Sequence, residues 1–334
     1  MQYTIPPEAP QDAEVLHDVG PTGRVMPWHR TKEQTQIVAM AFRLMDPNIV
    51  PLTVAERIEH CADELHFEKD AEGRLRLKQA HFCRVRLCPM CQWRRALKYY
   101  GQMRQIVAWL KEQRAKQHAK PYEWVLLTLT TRNVPGRELS QELTAQAEAW
   151  GRLTKRKEWR AAIQGALRTT EITYNARENT YHPHMHCMLA VMPSYFTGRT
   201  YISQERWRAL WASAARLGYD PSVDVRRVKS IEGGVAEVAK YATKPSDYIR
   251  TSDVDAMVDT LETLHLACAG RRFAAYTGVC RQARQALRLD DAEEGDLVHL
   301  TGDEAADETS GPSWTWLWYQ GPKLYLGGKG GTTK

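Results

Sequence analysis

The chain has no long hydrophobic run. Nothing in its 334 residues approaches the ~18 consecutive apolar residues of a membrane-spanning helix. The N-terminus, with Pro6, Pro7, Glu8, Asp12 and Glu14, lacks the charged-then-apolar order of a secretory signal, so the expected compartment is the cytoplasm. No internal repeat is visible, which argues against a solenoid or propeller, and low complexity is confined to the Gly-rich end, Gly327 to Gly331. An even cysteine count is also missing. Seven cysteines cannot all pair, and four of them are spaced for metal rather than for disulfides. Acidic residues are almost absent between Arg84 and Lys120, where Glu112 alone opposes Arg84, Arg86, Arg94, Arg95, Lys98, Arg104, Lys111, Arg114, Lys116 and Lys120. Basic residues are absent in turn from Asp290 to Ser310, which carries nine Asp and Glu.

What remains is a folded, mildly basic chain: 43% hydrophobic residues supply a core, and the net charge is +6. The uneven placement of that charge matters more than its total, and the basic stretch reads as a track for a phosphate backbone, with Arg84, Arg86, Arg94, Arg95 and Lys98 as candidate DNA contacts. Residues 1–30 read as a flexible arm. Residues 31–120 read as a helical, basic, cysteine-rich region whose long helix runs from Gln92 to about Gln117, with Ala96, Tyr99, Met103, Ile106, Val107 and Leu110 at helical spacing. Within residues 121–250, Trp124 to Thr131 is strand-like, and a helix capped by Ser140 follows. Thr169 to Tyr174 and Tyr181 to Val191 form a hairpin across the polar Asn175 to Thr180. A helix near Ser203 to Leu217, a strand near Ser222 to Val228 and a short helix from about Gly234 to Lys244 complete the segment. The order predicts an α+β fold with helices on one face of an antiparallel sheet. Residues 251–334 hold the acidic segment and a tail in which Trp314, Trp316, Trp318 and Tyr319 read as an edge strand.

The densest chemistry lies in His182-Pro183-His184-Met185-His186-Cys187. On a strand, residues two apart share a face, so His184 and His186 project together while Met185, Cys187, Leu189 and Val191 project into the core. If the hairpin is symmetric about residues 177 and 178, Glu171 lies opposite His184 and adds an oxygen. Two imidazoles and a carboxylate with open positions suit a catalytic Mg2+ or Mn2+. A second cluster is Glu237, Tyr241 and Lys244, which fall on one helical face; a cation and a metal favour the phenolate of Tyr241, and Glu237 is a candidate general base. A third is Cys83-x4-Cys88-x2-Cys91 with Cys61 twenty-two residues earlier, a candidate structural Zn2+ site, for which His60, His66 and His81 are alternative ligands.

Taken together these motifs resemble a known family. His184-Met185-His186 resembles the histidine motif of the HUH endonucleases, and WVLLTLTT at 124–131 is similar to their first motif. EVAKYATKPSDY at 237–248 resembles the tyrosine motif of one branch, the replication initiators of small bacterial rolling-circle plasmids. HFCRVRLCPMCQWRR at 81–95 and LDDAEEGDL at 289–297 are similar to further signatures of that branch. The resemblance implies an HUH endonuclease domain at 121–250 with His184, His186 and Glu171 as metal ligands, Tyr241 as nucleophile and Glu237 serving the terminating cleavage. It implies plasmid origin DNA, single-stranded or as a hairpin nick site, as partner, with host helicase and DNA polymerase extending the nicked strand. Other readings compete. The three alternating histidines also fit a histidine-triad nucleotide hydrolase, in which Tyr241 would be idle. The cysteines and basic stretch fit a non-enzymatic zinc-dependent DNA-binding protein, and an HUH transposase shares the same motifs.

Overall fold

A computed structural model describes residues 13–18, 25–69, 75–239, 243–300 and 312–329. In chain order the first elements are β1 (Glu14–Val15), α1 (Trp28–Arg43), α2 (Leu52–Glu59), β2 (Glu64–Lys69), β3 (Leu75–Ala80) and α3 (Pro89–Lys116). Next come β4 (Glu123–Thr130), β5 (Val134–Pro135), α4 (Gly136–Leu153), α5 (Lys157–Ala162), β6 (Ile163–Asn175) and β7 (Thr180–Val191). They are followed by α6 (Gln204–Ala215), β8 (Val223–Arg227), α7 (Ile231–Val238), α8 (Pro245–Tyr248) and α9 (Val254–Cys268). β9 (Ala274–Thr277), α10 (Gly278–Ala286), β10 (Ser313–Tyr319) and β11 (Leu324–Lys329) end the series. The fold is α+β, with antiparallel sheets. No helix among the described residues is long and apolar enough to cross a membrane.

The chain divides into two compact units, each assembled from separate stretches: one from residues 1–95, 249–262 and 294–334, the other from 96–248 and 263–293. In the first unit a five-stranded sheet runs in the order β1-β11-β10-β2-β3. The sequence reads as helical over residues 31–120, and β2 and β3 escape that reading because they are short and polar. β10 was expected at an edge, yet it lies between β11 and β2, with Trp316 opposite Leu65. Its alternation is used for packing: Trp316 stacks edge-on against Phe67 at 5.3 Å, and Phe67 against Trp28 at 5.8 Å. Gly327 is required by close approach, since a Cβ there would stand 1.9 Å from the carbonyl oxygen of Thr315. Glu14 and Val15, within the stretch expected as a flexible arm, pair with β11. Residues 1–12 and 19–24 of that arm, 301–311 of the acidic segment and 330–334 of the Gly-rich end lie outside the described residues.

In the second unit the sheet runs β8-β4-β7-β6-β9, with β5 added beside β7. Helices cover both of its faces, not one. Met185, Cys187, Leu189 and Val191 pack with α4, α5 and α6 through Trp150, Trp159, Trp207 and Trp211. Met188 and Ala190, from the opposite face of the same strand, pack with α3, α7 and α10 through Met103, Ile106, Val235, Val238, Cys280 and Ala283. The nearly continuous apolar character of β7 after His186 records this double burial. Ser140 is not the cap of α4; the helix starts at Gly136, after Pro135. Ser203 and Ser230 do cap α6 and α7, accepting hydrogen bonds from the backbone of Arg206 and Gly233.

Candidate active site and a four-cysteine centre

The β6–β7 hairpin sets the first site. Its register pairs Glu171 with His184 and Thr169 with His186, as a turn symmetric about residues 177 and 178 requires. One carboxylate oxygen of Glu171 receives both imidazoles: Oε2 is 2.9 Å from Nε2 of His186 and 3.3 Å from Nε2 of His184. The far side of each ring is also engaged. Nδ1 of His184 donates to the carbonyl oxygen of His182 at 3.1 Å. Nδ1 of His186 faces Oγ1 of Thr128 at 3.4 Å and Oε1 of Glu237 at 3.7 Å. A neutral His184 whose Nδ1 proton is committed in this way turns the lone pair of Nε2 toward Glu171. Lone pairs facing a carboxylate call for a cation between them, either a proton or a metal ion, and the three side chains have the donor chemistry and convergence to hold a metal.

Lys244 supplies further positive charge. Its Nζ stands 2.8 Å from Oε1 of Glu171, an ion pair not aligned as a hydrogen bond. Burial alone would raise the Glu171 carboxyl, but its contacts with His184, His186 and Lys244 outweigh it and hold the group far below the usual carboxylate range. Lys244 is raised in return by its contact with Glu171. Glu237 sits in α7, whose C-terminal end is tied to β6 by a 2.6 Å hydrogen bond from Oγ1 of Thr169 to the carbonyl oxygen of Val238. Tyr241 lies outside the described residues. Tyr248, the next tyrosine, is fully buried in α8. His182 stacks on the His184 ring with centroids 5.2 Å apart.

Sequence reasoning missed Thr128 and Gln146. Thr128 pairs directly with His186 across β4 and β7, a relation visible only once the register of two distant strands is known. Gln146 is 1% exposed and donates to the carbonyl oxygen of Pro183 at 2.8 Å, fixing the strand between His182 and His184.

The first unit holds a second centre. Cys61, Cys83, Cys88 and Cys91 are all buried and bring four sulfurs together. Sγ of Cys91 is 3.5 Å from that of Cys61 and 3.6 Å from that of Cys83, close to the edge of roughly 3.8 Å that a tetrahedron of sulfurs around one zinc ion would have. Backbone N–H groups of Cys83 and Arg84 point at Sγ of Cys61 and Cys91, at 3.4 and 3.2 Å. Burial pushes the Cys61 thiol up. Burial works against ionisation of Cys88 as well, yet hydrogen bonds from the neighbouring thiols overcome it and hold Cys88 well down. The donor set is that of a closed structural site. Lys32, fully buried, braces it by donating to the carbonyl oxygens of Glu59 and Cys61 at 2.7 and 2.8 Å and to Asp63 at 2.6 Å.

The basic stretch is used differently from the expectation. Arg94, Arg95 and Lys98 are buried. Arg94 donates to the carbonyl oxygens of Leu297 and Val298, Arg95 to those of Val85 and Arg84, and Lys98 pairs with Asp290. The segment at 289–298 is thus what Arg94 and Lys98 bind. Arg84 is exposed and Arg86 half-buried. Replacing Lys98 with alanine is expected to lower stability by about 2 kcal/mol, because Asp290 loses its counter-charge and a buried stem leaves a void. Urea denaturation checks the loss; unchanged stability with a smaller salt dependence of DNA binding would return Lys98 to the DNA.

A carboxylate with two imidazoles on a hairpin in one unit, and four clustered thiols in the other, are two groups of side chains that could each hold a metal ion. The replication-protein family profile matches residues 74–326. A "Protein rep" of Bacillus amyloliquefaciens is 37% identical over 340 residues, spanning 94% of this chain and 98% of that protein. A "Protein rep" of Streptococcus pneumoniae serotype 2 is 39% identical over 264 residues, spanning 77% of this chain and 79% of the relative. One from Lactiplantibacillus plantarum is 35% identical over 302 residues, with 87% and 91% coverage. No solved structure matches significantly. The chain belongs to this replication-protein family and is a plasmid replication initiator.

Proposed function

We propose that the protein starts rolling-circle replication as an HUH-type nickase, cutting one strand of the plasmid origin with Tyr241. The observation that carries this reading is the convergence of Nε2 of His184, Nε2 of His186 and Oε2 of Glu171 on one point. A divalent cation held there, Mg2+ or Mn2+, would polarise the scissile phosphate and leave coordination positions for phosphate oxygens and water. Tyr241 is bracketed in sequence by Glu237 and Lys244, both of which touch the triad. Three residues of chain span at most about 11 Å, so covalent geometry keeps the Cα of Tyr241 within that distance of Lys244. The positive charge of Lys244 favours the phenolate. The phenolate oxygen bonds to phosphorus as the bond to the 3′ oxygen breaks, giving a 5′ phosphotyrosine link and a 3′ hydroxyl for the host polymerase. Glu237 acts at termination, taking a proton from the water that cuts the second time; the freed 3′ hydroxyl then attacks the phosphotyrosine, closing the strand as the bond to the Tyr241 oxygen breaks and the enzyme is released. Arg84 and Arg86 are the proposed phosphate contacts of the first unit, and a structural zinc ion held by the four cysteines belongs to the same reading.

Two variants separate the steps. Tyr241→Phe keeps the ring and deletes the nucleophile, so no covalent adduct is expected on any origin substrate. Glu237→Ala is expected to nick and form the adduct at a rate within about threefold of wild type, and then to accumulate covalent enzyme and over-long products. Mass spectrometry of the adduct peptide is the measurement. Label on a histidine would favour the histidine-triad reading, and label on Tyr248 would contradict its burial.

A further inference from the structure

On the face of the sheet that carries the metal triad, the second unit holds a cavity of about 240 Å3. Its walls include Tyr99 of α3, Tyr276 of β9, Arg281 and Arg284 of α10, and Arg272 and Asp291. Tyr276 pairs with Leu167, four positions before Glu171 on β6, so the pocket and the triad lie about 13 Å apart along one strand. Three guanidinium groups and two carboxylates stand in the lining, a surplus of one positive charge. Asp291 is shared by Arg272 at 2.9 Å and Arg284 at 4.0 Å, and Arg281 is exposed with no ion pair among the described residues. The second carboxylate of the wall, Glu293, accepts the backbone N–H groups of Phe273 and Ala274 at 2.7 and 2.8 Å. The guanidinium of Arg284 lies over the Tyr276 ring, 5.3 Å from its centroid. The Tyr276 hydroxyl and Nε of Arg284 are buried without a hydrogen-bond acceptor among the described residues. The site therefore combines surplus positive charge, two aromatic walls and unused donors.

We infer that this pocket binds one nucleotide unit, the base against Tyr99 and Tyr276 and the phosphate on Arg272 and Arg281. Aromatic rings tolerate any base, guanidinium groups grip the phosphodiester, and unused donors suit the acceptor-rich base edge. The inference rests on the nickase reading for its preferred source, a nucleotide of the origin strand held while a phosphate beside it is cut. A free mononucleotide has the same chemistry.

The test is fluorescence anisotropy of the full chain with a labelled oligothymidylate of about 20 nucleotides, without added Mg2+ or Mn2+ so that no strand is cut. Arg281→Ala, at a side chain with no ion pair among the described residues, and the Arg272→Ala/Arg281→Ala double variant are compared with wild type. At about 0.1 M salt the double variant is expected to bind at least about tenfold more weakly, and each lost phosphate contact should flatten the salt slope by about 0.7. Photocrosslinks from iododeoxyuridine DNA should map to the Tyr99 or Tyr276 peptide. Should Arg272→Ala unfold the chain, Arg281→Ala and the crosslinks decide alone. Displacement of the strand by millimolar dTMP, lost in Arg281→Ala, would identify the free nucleotide as the source; resistance to dTMP would identify the strand. Wild-type affinity and slope in the variants, with crosslinks elsewhere, would overturn the site. Because binding is read without cleavage, that failure would leave the Tyr241 chemistry untouched, and absence of a Tyr241 adduct would leave the binding result standing.

Discussion

His186→Ala is expected to abolish nicking of single-stranded origin DNA, by at least about a thousandfold, on the order of 4 kcal/mol of transition-state stabilisation. Its Nε2 makes the shorter of the two histidine contacts with Glu171, and its Nδ1 faces both Thr128 and Glu237. Removing it takes away a proposed ligand and the ring that links the triad to α7. His184→Ala should do comparable damage, and both variants should still bind DNA. His182→Ala should be milder, a loss of about tenfold. Its ring stacks on His184 and is hydrogen-bonded to the backbone of Thr131, and the carbonyl oxygen that orients Nδ1 of His184 survives the substitution. Nicking rates with Mn2+ and with chelator settle the ranking: full activity of His186→Ala in chelator would remove the metal site, and an equal loss in His182→Ala would mean that a different pair of histidines binds.

The site was legible in the sequence to the extent that its geometry is local. Alternation along one strand put His184 and His186 on a common face, and a short polar turn fixed which residue of the preceding strand stands opposite, so Glu171 followed from counting. The relations that could not be read are long-range. β2 pairs with β10 across some 250 residues, as His66 stands opposite Thr315, and no local pattern announces such a pairing. The same blindness affected charge. Arg94 and Lys98 read as a solvent-facing basic stripe because their acceptors, Leu297 and Asp290, are 203 and 192 residues away. Long cationic side chains readily bury their stems, so a basic run on a helix indicates DNA only where the structure leaves the charge exposed. The second helical layer over the sheet was hidden for a related reason: a strand buried on both faces loses the period-two signal that would reveal either layer.

The four-cysteine centre leads to the largest expected loss of stability. Four thiols in van der Waals contact and out of water cannot ionise together, since each added negative charge is opposed by burial and by the charge already on its neighbours. Burial raises the Cys61 thiol and hydrogen bonds from the neighbouring thiols lower Cys88, so the four sulfurs do not ionise alike. A bound Zn2+ would reverse this, because four thiolates around a dication at about 2.3 Å replace the donated protons. In zinc-finger peptides such binding contributes about 10–16 kcal/mol, as large as the whole stability of a typical domain, about 5–15 kcal/mol. Cys88→Ser, a near-isosteric change, is therefore expected to unfold the first unit, and chelator should do the same to the wild type. If the centre were only four packed thiols, the same substitution would cost about 1 kcal/mol. Elemental analysis should find about one zinc per chain in protein prepared without chelator, and circular dichroism melts of wild type and Cys88→Ser measure the loss. Folded wild-type protein with less than about a tenth of an equivalent of zinc, or a Cys88→Ser variant that melts with the wild type, would reject the metal and leave the cysteines as core.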